Sequence, residues 1–315
     1  MARAAARRIA GMLAVLVVVS LATFAAFAVL PQGDPAERLA GRQPAAEQVT
    51  AIRHEWGFDK SLPVQYATMM RKAFAGRLVS YQNGLEVHGE LWRRLPRTLW
   101  LALGGIGFAA VGGVALALAS AGRRRARQRR AGALVGGFAL LSVSVPVFWL
   151  GAVLAYLVGF KAGLLPNGGY VPFADDPLEW ARHLVLPWLT VAAVATGTYV
   201  FVARARIEDA LAQDYTRAAL AAGVGPRAIA RRALRPALAP LVALWGLDFA
   251  GVVAGSAVLV ESVFDLGGVG QYAADAMDQL DAPAVIGVTL MAAFFIVLVN
   301  AAVDVAQLAL DPRRR

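Results

Sequence analysis

The stretch that decides the fold runs from Ala203 to Pro240 and reads ARARIEDALAQDYTRAALAAGVGPRAIARRALRPALAP. It is polar, rich in arginine, and flanked by hydrophobic segments. Two short helical patterns meet in it at Gly223-Val224-Gly225-Pro226. A glycine can end a helix by adopting positive φ, and a proline suits the first turn of the next helix, where its missing N–H is harmless. The stretch therefore predicts a basic, solvent-facing helix–glycine–helix elbow over Arg204–Ala239, on which another protein docks.

The segments around the elbow are those of a membrane protein. Of the 315 residues, 58% are hydrophobic, and the mean hydropathy is +0.57. Because a spanning helix needs roughly 20 apolar residues, we expect an all-α, polytopic membrane protein with six transmembrane helices. The six runs are Ile9–Leu30, Thr98–Gly122, Ala131–Phe160, Leu184–Ala203, Ala237–Val260 (interrupted only by Asp248) and Ala282–Val303.

The arginines sort according to the loops that carry them. The N-terminal tail, the loop after the second run, the elbow and the C-terminus are rich in arginine, whereas Glu261–Ala282 has no basic residue. Because cytoplasmic loops carry the excess of Lys and Arg, we expect both termini to be cytoplasmic and Pro31–Arg97 to be a long extracytoplasmic loop. Arginines facing the membrane surface and its anionic lipids account for the net charge of +10, so nucleic-acid binding is a poor explanation.

The sequence offers little for enzymatic chemistry. His54, His88 and His183 lie scattered without the spacing of metal ligands, and the chain has no cysteine. None of the three lysines follows a glycine, whereas a Walker A loop requires Gly-Lys-Ser/Thr. We therefore expect no catalytic residue, no metal and no bound cofactor in this chain, and ATP with Mg²⁺ would be used by a separate ATPase.

The elbow resembles the EAA loop of ABC-importer permeases, specifically of their peptide/nickel branch. The D-Y-x-R-x-A-x-A-x-G of that branch is matched by Asp214-Tyr215-Thr216-Arg217 with Ala219, Ala221 and Gly223. Its H-A-L-R-N-A-L-x-P resembles Arg232–Pro240. Two positions depart from the pattern: Ala222 replaces a lysine and Arg232 a histidine. These changes keep the shape of the elbow but affect which ATPase it accepts.

Further blocks of the branch recur in the same order along the chain. They are Gly33-Asp34-Pro35, Leu62–Tyr66, Arg94–Leu99, Ser144–Gly151, His183–Pro187, Val260–Phe264, Gly268–Gly270 and Asp311–Arg313. The order resembles that of the first, B-type permease of a peptide system and implies the type I ABC-importer permease fold. Residues 1–97 would form the N-terminal tail, first transmembrane helix and long extracytoplasmic loop. Residues 98–315 would form a five-helix permease core that contains the coupling loop 204–239.

The resemblance implies how the elbow works. Its first helix would sit in a groove of an ABC ATPase, where alanines allow close backbone approach and polar side chains make contacts. The residues implied in ATPase coupling are Asp214, Tyr215, Arg217, Ala218, Ala219, Gly223 and Arg231. The implied partners are a second homologous permease subunit, two ABC ATPase subunits, an extracytoplasmic solute-binding protein and membrane lipid. The implied location is the bacterial cytoplasmic membrane.

Acidic residues in or near the expected spans are candidates for a solute path. Asp248 either lines such a path or bonds a neighbouring helix. Glu261 and Asp265 lie near the expected outer mouth, where a solvated rim competes with contact to the solute or its binding protein. Asp304 is expected to anchor structure. In the long loop, apolar residues recur at helical intervals over Val64–Leu78 and predict an amphipathic helix.

Three alternatives remain open. Within the same class, the solute is nickel or glutathione instead of a di- or oligopeptide. An ion-driven secondary transporter would work without ATP and would need buried ion-coupling residues, for which Asp248 is the candidate. A membrane-embedded enzyme would need a nucleophile–base pair or a metal cluster. The elbow disfavours the last two, because neither requires a docking site for an ATPase.

Overall fold

The computed structural model describes residues 2–29, 33–41, 44–120 and 126–310. Throughout these ranges the regular elements are helices, and extended pairing is confined to one bridge between Val79 and Glu86. The helices are α1 (Ala2–Val29), α2 (Pro35–Ala40), α3 (Ala46–Trp56), α4 (Leu62–Phe74), α5 (Val87–Ser120), α6 (Ala126–Ser144), α7 (Val147–Leu154), α8 (Pro177–Ala212), α9 (Asp214–Ala221), α10 (Pro226–Leu234), α11 (Leu238–Gly251), α12 (Ala257–Val263), α13 (Val269–Asp278) and α14 (Ala282–Leu310). A π-helix continues α7 through Lys161, and α11 and α12 are joined across a kink at Gly255, whose φ of 172° and ψ of −30° are not helical.

Four helical segments are long and apolar enough to cross a membrane: α5, α8, the run Ala228–Val263, and α14. A fifth candidate is the pair Gly132–Ser144 and Val147–Lys161, if both halves belong to one span. The first expected span contributes only the shorter apolar segment Ala14–Ala28 of α1. The described residues thus provide four or five candidates, and the count of six stays a prediction.

The third expected span is not one continuous helix. Its two halves meet at an angle of 101°. Pro146 caps the second half with φ −62° and ψ 128°, an extended conformation outside the helix. A proline also disfavours helical geometry at the residue before it, here Val145. The apolar run Ala131–Phe160 therefore contains two helices, and Pro146 stands where the second one starts. Pro187, by contrast, lies inside α8.

The chain divides into two compact units, one formed by the residues through Pro96 together with Gly268–Val297. In this unit Asp281 ties the loop after α4 to the start of α14. Its carboxylate, only 3% exposed, accepts hydrogen bonds from the Ser80 hydroxyl at 2.5 Å and from the Tyr81 N–H at 3.2 Å. Tyr81 packs edge-on against the rings of Trp56 and Phe58. Burial, with a smaller contribution from the charge of Asp281, raises the pKa of Tyr81 above its ordinary value.

The amphipathic helix predicted in the long loop is present as α4. It ends at Phe74, so Leu78 belongs to the following loop and not to the helix. Met69 and Leu78 are buried, whereas Val64 and Phe74 are exposed. The periodicity therefore located the helix but did not identify its buried face completely.

The second unit comprises Arg97–Gly267 and the residues from Leu298 onward. Its helices pack closely because glycines lie at their crossings. A Cβ added to Gly197 of α8 would collide with the carbonyl of Ala139 and the hydroxyl of Ser142 on α6. A Cβ on Gly113 of α5 would collide with Tyr199, a fully buried residue of α8. These contacts give α8 the central position from which its C-terminal end carries the elbow.

Candidate functional site

The predicted elbow is present and follows directly from α8. Thr216, which is buried, donates its hydroxyl to the carbonyl of Ala210 at 2.7 Å and so ties α9 back to the end of α8. Gly223 ends α9 with φ +77°, and the N–H of Val224 bonds to the carbonyl of Ala219 at 3.0 Å. This closure satisfies a carbonyl that would otherwise be left without a partner at a helix end. Pro226 then opens α10, as the sequence predicts.

The elbow has a packed side and an exposed side. Ile229 and Ala233 of α10 are buried, at 6% and 1% exposed, and α10 packs against α8. On the exposed side, Asp214 and Arg217 form an ion pair at 3.5 Å, with side chains 97% and 72% exposed. Of the seven residues implied in coupling, six are exposed and Ala219 is partly covered; the exposed six are Asp214, Tyr215, Arg217, Ala218, Gly223 and Arg231. The structure thus leaves six of the seven residues accessible to solvent.

The base of the elbow is fixed by a contact that sequence reasoning missed. Arg204, on α8, donates through Nε to the carboxylate of Glu208 at 2.9 Å and through Nη1 to the carbonyl of Gly132 on α6 at 3.2 Å. An added Cβ on Gly132 would lie 3.2 Å from the guanidinium, so glycine leaves the room that this contact uses. The i,i+4 spacing of Arg204 and Glu208 signals their ion pair. Nothing local signals the bond to Gly132, which is 72 residues away.

The segment after α12 is held by the start of α5. Arg97 donates through Nη1 to the carbonyls of Leu266 and Gly267, both at 3.1 Å, and its guanidinium lies over the ring of Tyr170 at 5.0 Å. Burial raises the pKa of Tyr170, with the charge of Arg97 acting in the opposite direction. Gly267 has φ +65°, and a Cβ there would collide with the guanidinium of Arg97. The glycine therefore permits both the turn and the contact.

Glu261 occupies a different environment from the solvated rim that the sequence suggested. Its side chain has no exposed surface, and its carboxylate accepts a 2.5 Å hydrogen bond from the hydroxyl of Thr98. Its neighbour in the sequence prediction, Asp265, is exposed and has φ +47°. Glu261 is thus buried and Asp265 is exposed, so the expectation of a solvated rim was wrong for Glu261.

Asp248 lies on α11 and is half-buried. It faces the hydroxyl of Tyr199, which comes from the neighbouring helix α8 and is fully buried. The structure thus gives Asp248 a polar neighbour on another helix while leaving part of the residue accessible. Asp304, near the end of α14, is also half-exposed.

Two models of a known protein family match this chain, one over its N-terminal part and one over most of the remainder. The family model described as binding-protein-dependent transport system inner membrane component matches residues 113–315. The model of the N-terminal part of the same membrane component matches residues 1–102.

The chain belongs to this family. It is a multi-pass inner-membrane protein and the permease component of an ABC transport system.

Similar proteins match nearly the whole length of this chain. A protein of Brucella abortus (strain 2308), named for a peptide transport system permease, is 33% identical over 313 residues, which are 98% of each chain. A protein of Sinorhizobium fredii, named as a peptide ABC transporter permease, is 31% identical over 311 residues, 98% of each chain. The glutathione transport system permease protein GsiC of Salmonella choleraesuis is 31% identical over 311 residues, 98% of this chain and 97% of that protein.

Proposed function

We propose that this permease is one transmembrane subunit of an ATP-driven importer that moves di- or oligopeptides into the cell. The observation that carries the proposal is the elbow, in which six of the seven residues implied in coupling are exposed while Thr216 ties the elbow to α8. Family membership supports a transport role, and the peptide systems named for the Brucella and Sinorhizobium relatives support the solute class.

The full importer requires other chains. We propose a second homologous permease, two ABC ATPases that dock on the elbows of the two permeases, and an extracytoplasmic solute-binding protein. ATP and Mg²⁺ would be held by the ATPases. In this arrangement the chain would span the membrane six times with both termini cytoplasmic. Residues 1–97 and 98–315 would form the N-terminal region and the permease core.

The elbow would transmit movement as a rigid lever. Closure of the two ATPases around ATP would bring the two elbows together, and the attached helices would pivot between inward and outward access. The bond from Thr216 to Ala210 and that from Arg204 to Gly132 suit this role, because they connect the elbow to α8 and α8 to α6.

Glutathione is the second candidate solute. The Salmonella relative is named for glutathione transport and has nearly the same identity to this chain as the peptide-named relatives. Glutathione is itself a small peptide-like solute, so the two candidates differ in specificity and not in mechanism.

Purification from the native membrane in mild detergent tests the proposal, followed by reconstitution into liposomes with the co-purifying chains. We expect a Walker-A ATPase and a second permease in the preparation, and uptake of labelled peptide that requires both ATP and the binding protein. Uptake of glutathione but not of longer peptides would favour the second candidate. Transport by this chain alone, without ATP, would overturn the importer in favour of a secondary transporter.

A further inference from the structure

One face of the candidate span Ala228–Val263 is open and carries a carboxylate. Asp248, Gly251, Gly255, Leu259 and Ser262 recur at intervals of three or four residues from α11 to α12. Asp248 is half-exposed and the other four are exposed. A Cβ added to Gly251 or Gly255 would meet no atom within 4 Å. We call this surface the Asp248 face.

The Asp248 face differs from the other open faces of the apolar helices. The open faces of α6 and α14 also carry exposed small or polar residues, such as Gly137, Ser144 and Asn300, but their exposed large side chains suit hydrocarbon and neither face has a carboxylate within its apolar run; those large side chains are Leu134, Leu140 and Leu141 on α6 and Phe294, Leu298 and Val305 on α14. The Asp248 face carries a carboxylate, two glycines and a serine, with only Leu259 as a large apolar residue. Exposing a carboxylate to lipid is costly, and such residues in membrane proteins face a water-filled cavity or the interior of the bundle. The composition therefore indicates a surface that meets water.

The carboxylate of Asp248 lies beside an uncharged polar group. Within the described part of the chain, the polar group assigned to Asp248 is the hydroxyl of Tyr199, which is uncharged. The Tyr199 hydroxyl is buried and makes no hydrogen bond of good length and angle with the described residues. Its position is fixed by packing, because the side chain begins in the space left open by Gly113. Among the residues that the structure describes, no cationic side chain forms an ion pair with this carboxylate, which lies beside a packed phenol and is suited to receive a cation from outside.

The backbone also changes on this face. A kink at Gly255, whose φ of 172° and ψ of −30° are not helical, interrupts the helix between Asp248 and Leu259. Ser256, also exposed, donates its hydroxyl to the carbonyl of Gly251 at 3.1 Å. The interruption therefore adds a backbone carbonyl and a hydroxyl to the polar groups near the open glycines.

We infer that the Asp248 face lines the solute path and that the carboxylate of Asp248, beside the hydroxyl of Tyr199, receives the protonated amino group of the solute. This inference rests on the proposed function, because a peptide supplies such a group at its N-terminus. The open glycines leave space for the peptide backbone next to the carboxylate. An N-blocked peptide lacks the cation and is a poorer ligand for the site.

The absence of cysteine from the chain allows a direct test. Gly251→Cys, Gly255→Cys and Ser262→Cys each place one thiol on the Asp248 face of the assembled importer. Each thiol is labelled with a water-soluble methanethiosulfonate that carries either a trimethylammonium or a sulfonate group, and modification of this chain alone is followed by mass. Leu298→Cys, on the apolar face of α14, is the control for a position that meets lipid.

We expect both reagents to modify the thiols of the Asp248 face and neither to modify Leu298→Cys. Gly251→Cys places its thiol nearest to the carboxylate in sequence. At this position the ratio of the cationic to the anionic reaction rate should be about tenfold higher than in the double variant that also carries Asp248→Asn. Asp248→Glu should retain the preference, because it keeps the charge. Absence of labelling at all three positions would overturn the inference and would indicate that Gly251 and Gly255 pack against a helix of the second permease, as glycines four residues apart commonly do. Labelling with no charge preference would overturn the role of Asp248.

A transport measurement with the same importer separates this inference from the proposed function. Wild-type liposomes should import a free peptide at least about tenfold faster than its N-acetylated form, a difference of one order of magnitude in transition-state binding. Asp248→Asn should reduce this ratio while Asp248→Glu preserves it. If wild-type liposomes import no peptide, the proposed function fails whatever the labelling shows. If they import peptide but Asp248→Asn leaves the ratio unchanged, the inference alone fails.

Discussion

The hydroxyl of Thr98 donates a hydrogen bond of 2.5 Å to the carboxylate of Glu261, and both side chains are fully buried. Thr98 lies in the first half of α5 and Glu261 near the end of α12, 163 residues apart. A buried carboxylate needs such donors, because leaving it without them costs more than the bond itself contributes. The pair therefore fixes the end of α12 against α5.

Replacement of Thr98 tests this pair. Thr98→Val removes the donor and keeps the shape of the side chain, so we expect a loss of about 1–3 kcal/mol in the free energy of unfolding. The measurement is the thermal unfolding of the purified protein in detergent. Thr98→Ser keeps the hydroxyl and should lie much closer to the wild type. Equal losses for both variants would mean that the methyl group matters and the hydrogen bond does not.

Gly267 offers a test of the contact with Arg97. In Gly267→Ala, positive φ is unfavourable and the new methyl group would collide with the guanidinium. Backbone strain of this kind costs of order 1–3 kcal/mol, before the collision is added. Gly84→Ala is the matched control, because Gly84 has φ +69° but open space around it. Unfolding in detergent should show a larger loss for Gly267→Ala, and equal losses would contradict an effect of the contact.

Gly223 tests the elbow. Proline requires φ near −65°, whereas Gly223 has φ +77°, so Gly223→Pro cannot keep the native turn. We expect ATP-coupled uptake to be lost while insertion into the membrane is retained. Gly225→Ala is the control in the same elbow, since Gly225 has φ −64° and no neighbour within 4 Å of an added Cβ. Normal uptake by Gly223→Pro would contradict the proposed role of the elbow in ATPase coupling.

Asp34 predicts a dependence of stability on pH. It caps α2 through a 2.9 Å bond from the N–H of Ala36, and it forms an ion pair with Arg53. The hydrogen bond from Arg53 is the largest of the effects that lower the pKa of Asp34. Because the folded pKa lies below the unfolded value of about 3.9, the contribution is present above that value and is lost as the pH falls through the folded pKa.

The test compares the wild type with Asp34→Asn across that range. We expect the wild type to be more stable at neutral pH and the two proteins to converge as the pH falls below about 4. Asp278→Asn, at an exposed position of α13, serves as the control and should show no such convergence. A difference between wild type and Asp34→Asn that is constant from neutral to acidic pH would contradict the assignment.

The sequence was informative where the determinants are local. Gly223 and Pro226 define the elbow within four residues of chain, so its two helices could be placed before any contact was known. The apolar runs likewise locate the long helices, because length and hydropathy are properties of a continuous segment. Even there, the run Ala131–Phe160 hides a bend of 101°, since uninterrupted apolarity carries no information about direction.

The contacts that organise the site could not be predicted in the same way. Glu261 reads as a polar residue at the end of a span, and only its distant partner Thr98 explains why it is buried. Arg204 reads as one of many cytoplasmic arginines, yet its guanidinium reaches Gly132 of another helix. In both cases the decisive partner is set by tertiary packing. Asp248 could be singled out by its charge in an apolar run, but the uncovered glycines beside it required the structure.

The break before α7 affects the backbone N–H groups that need hydrogen-bond partners in an apolar segment. Where a helix is interrupted in an apolar segment, the first amides of the new helix lose their partners, and each unsatisfied N–H in hydrocarbon is expensive. Pro146 carries no N–H, and its carbonyl accepts the N–H of Leu150 at 3.1 Å. The chain thus changes direction at a residue that contributes an acceptor to the next helix and no amide hydrogen to be hidden from lipid. Any other residue at this corner would bring one more donor that the membrane cannot solvate.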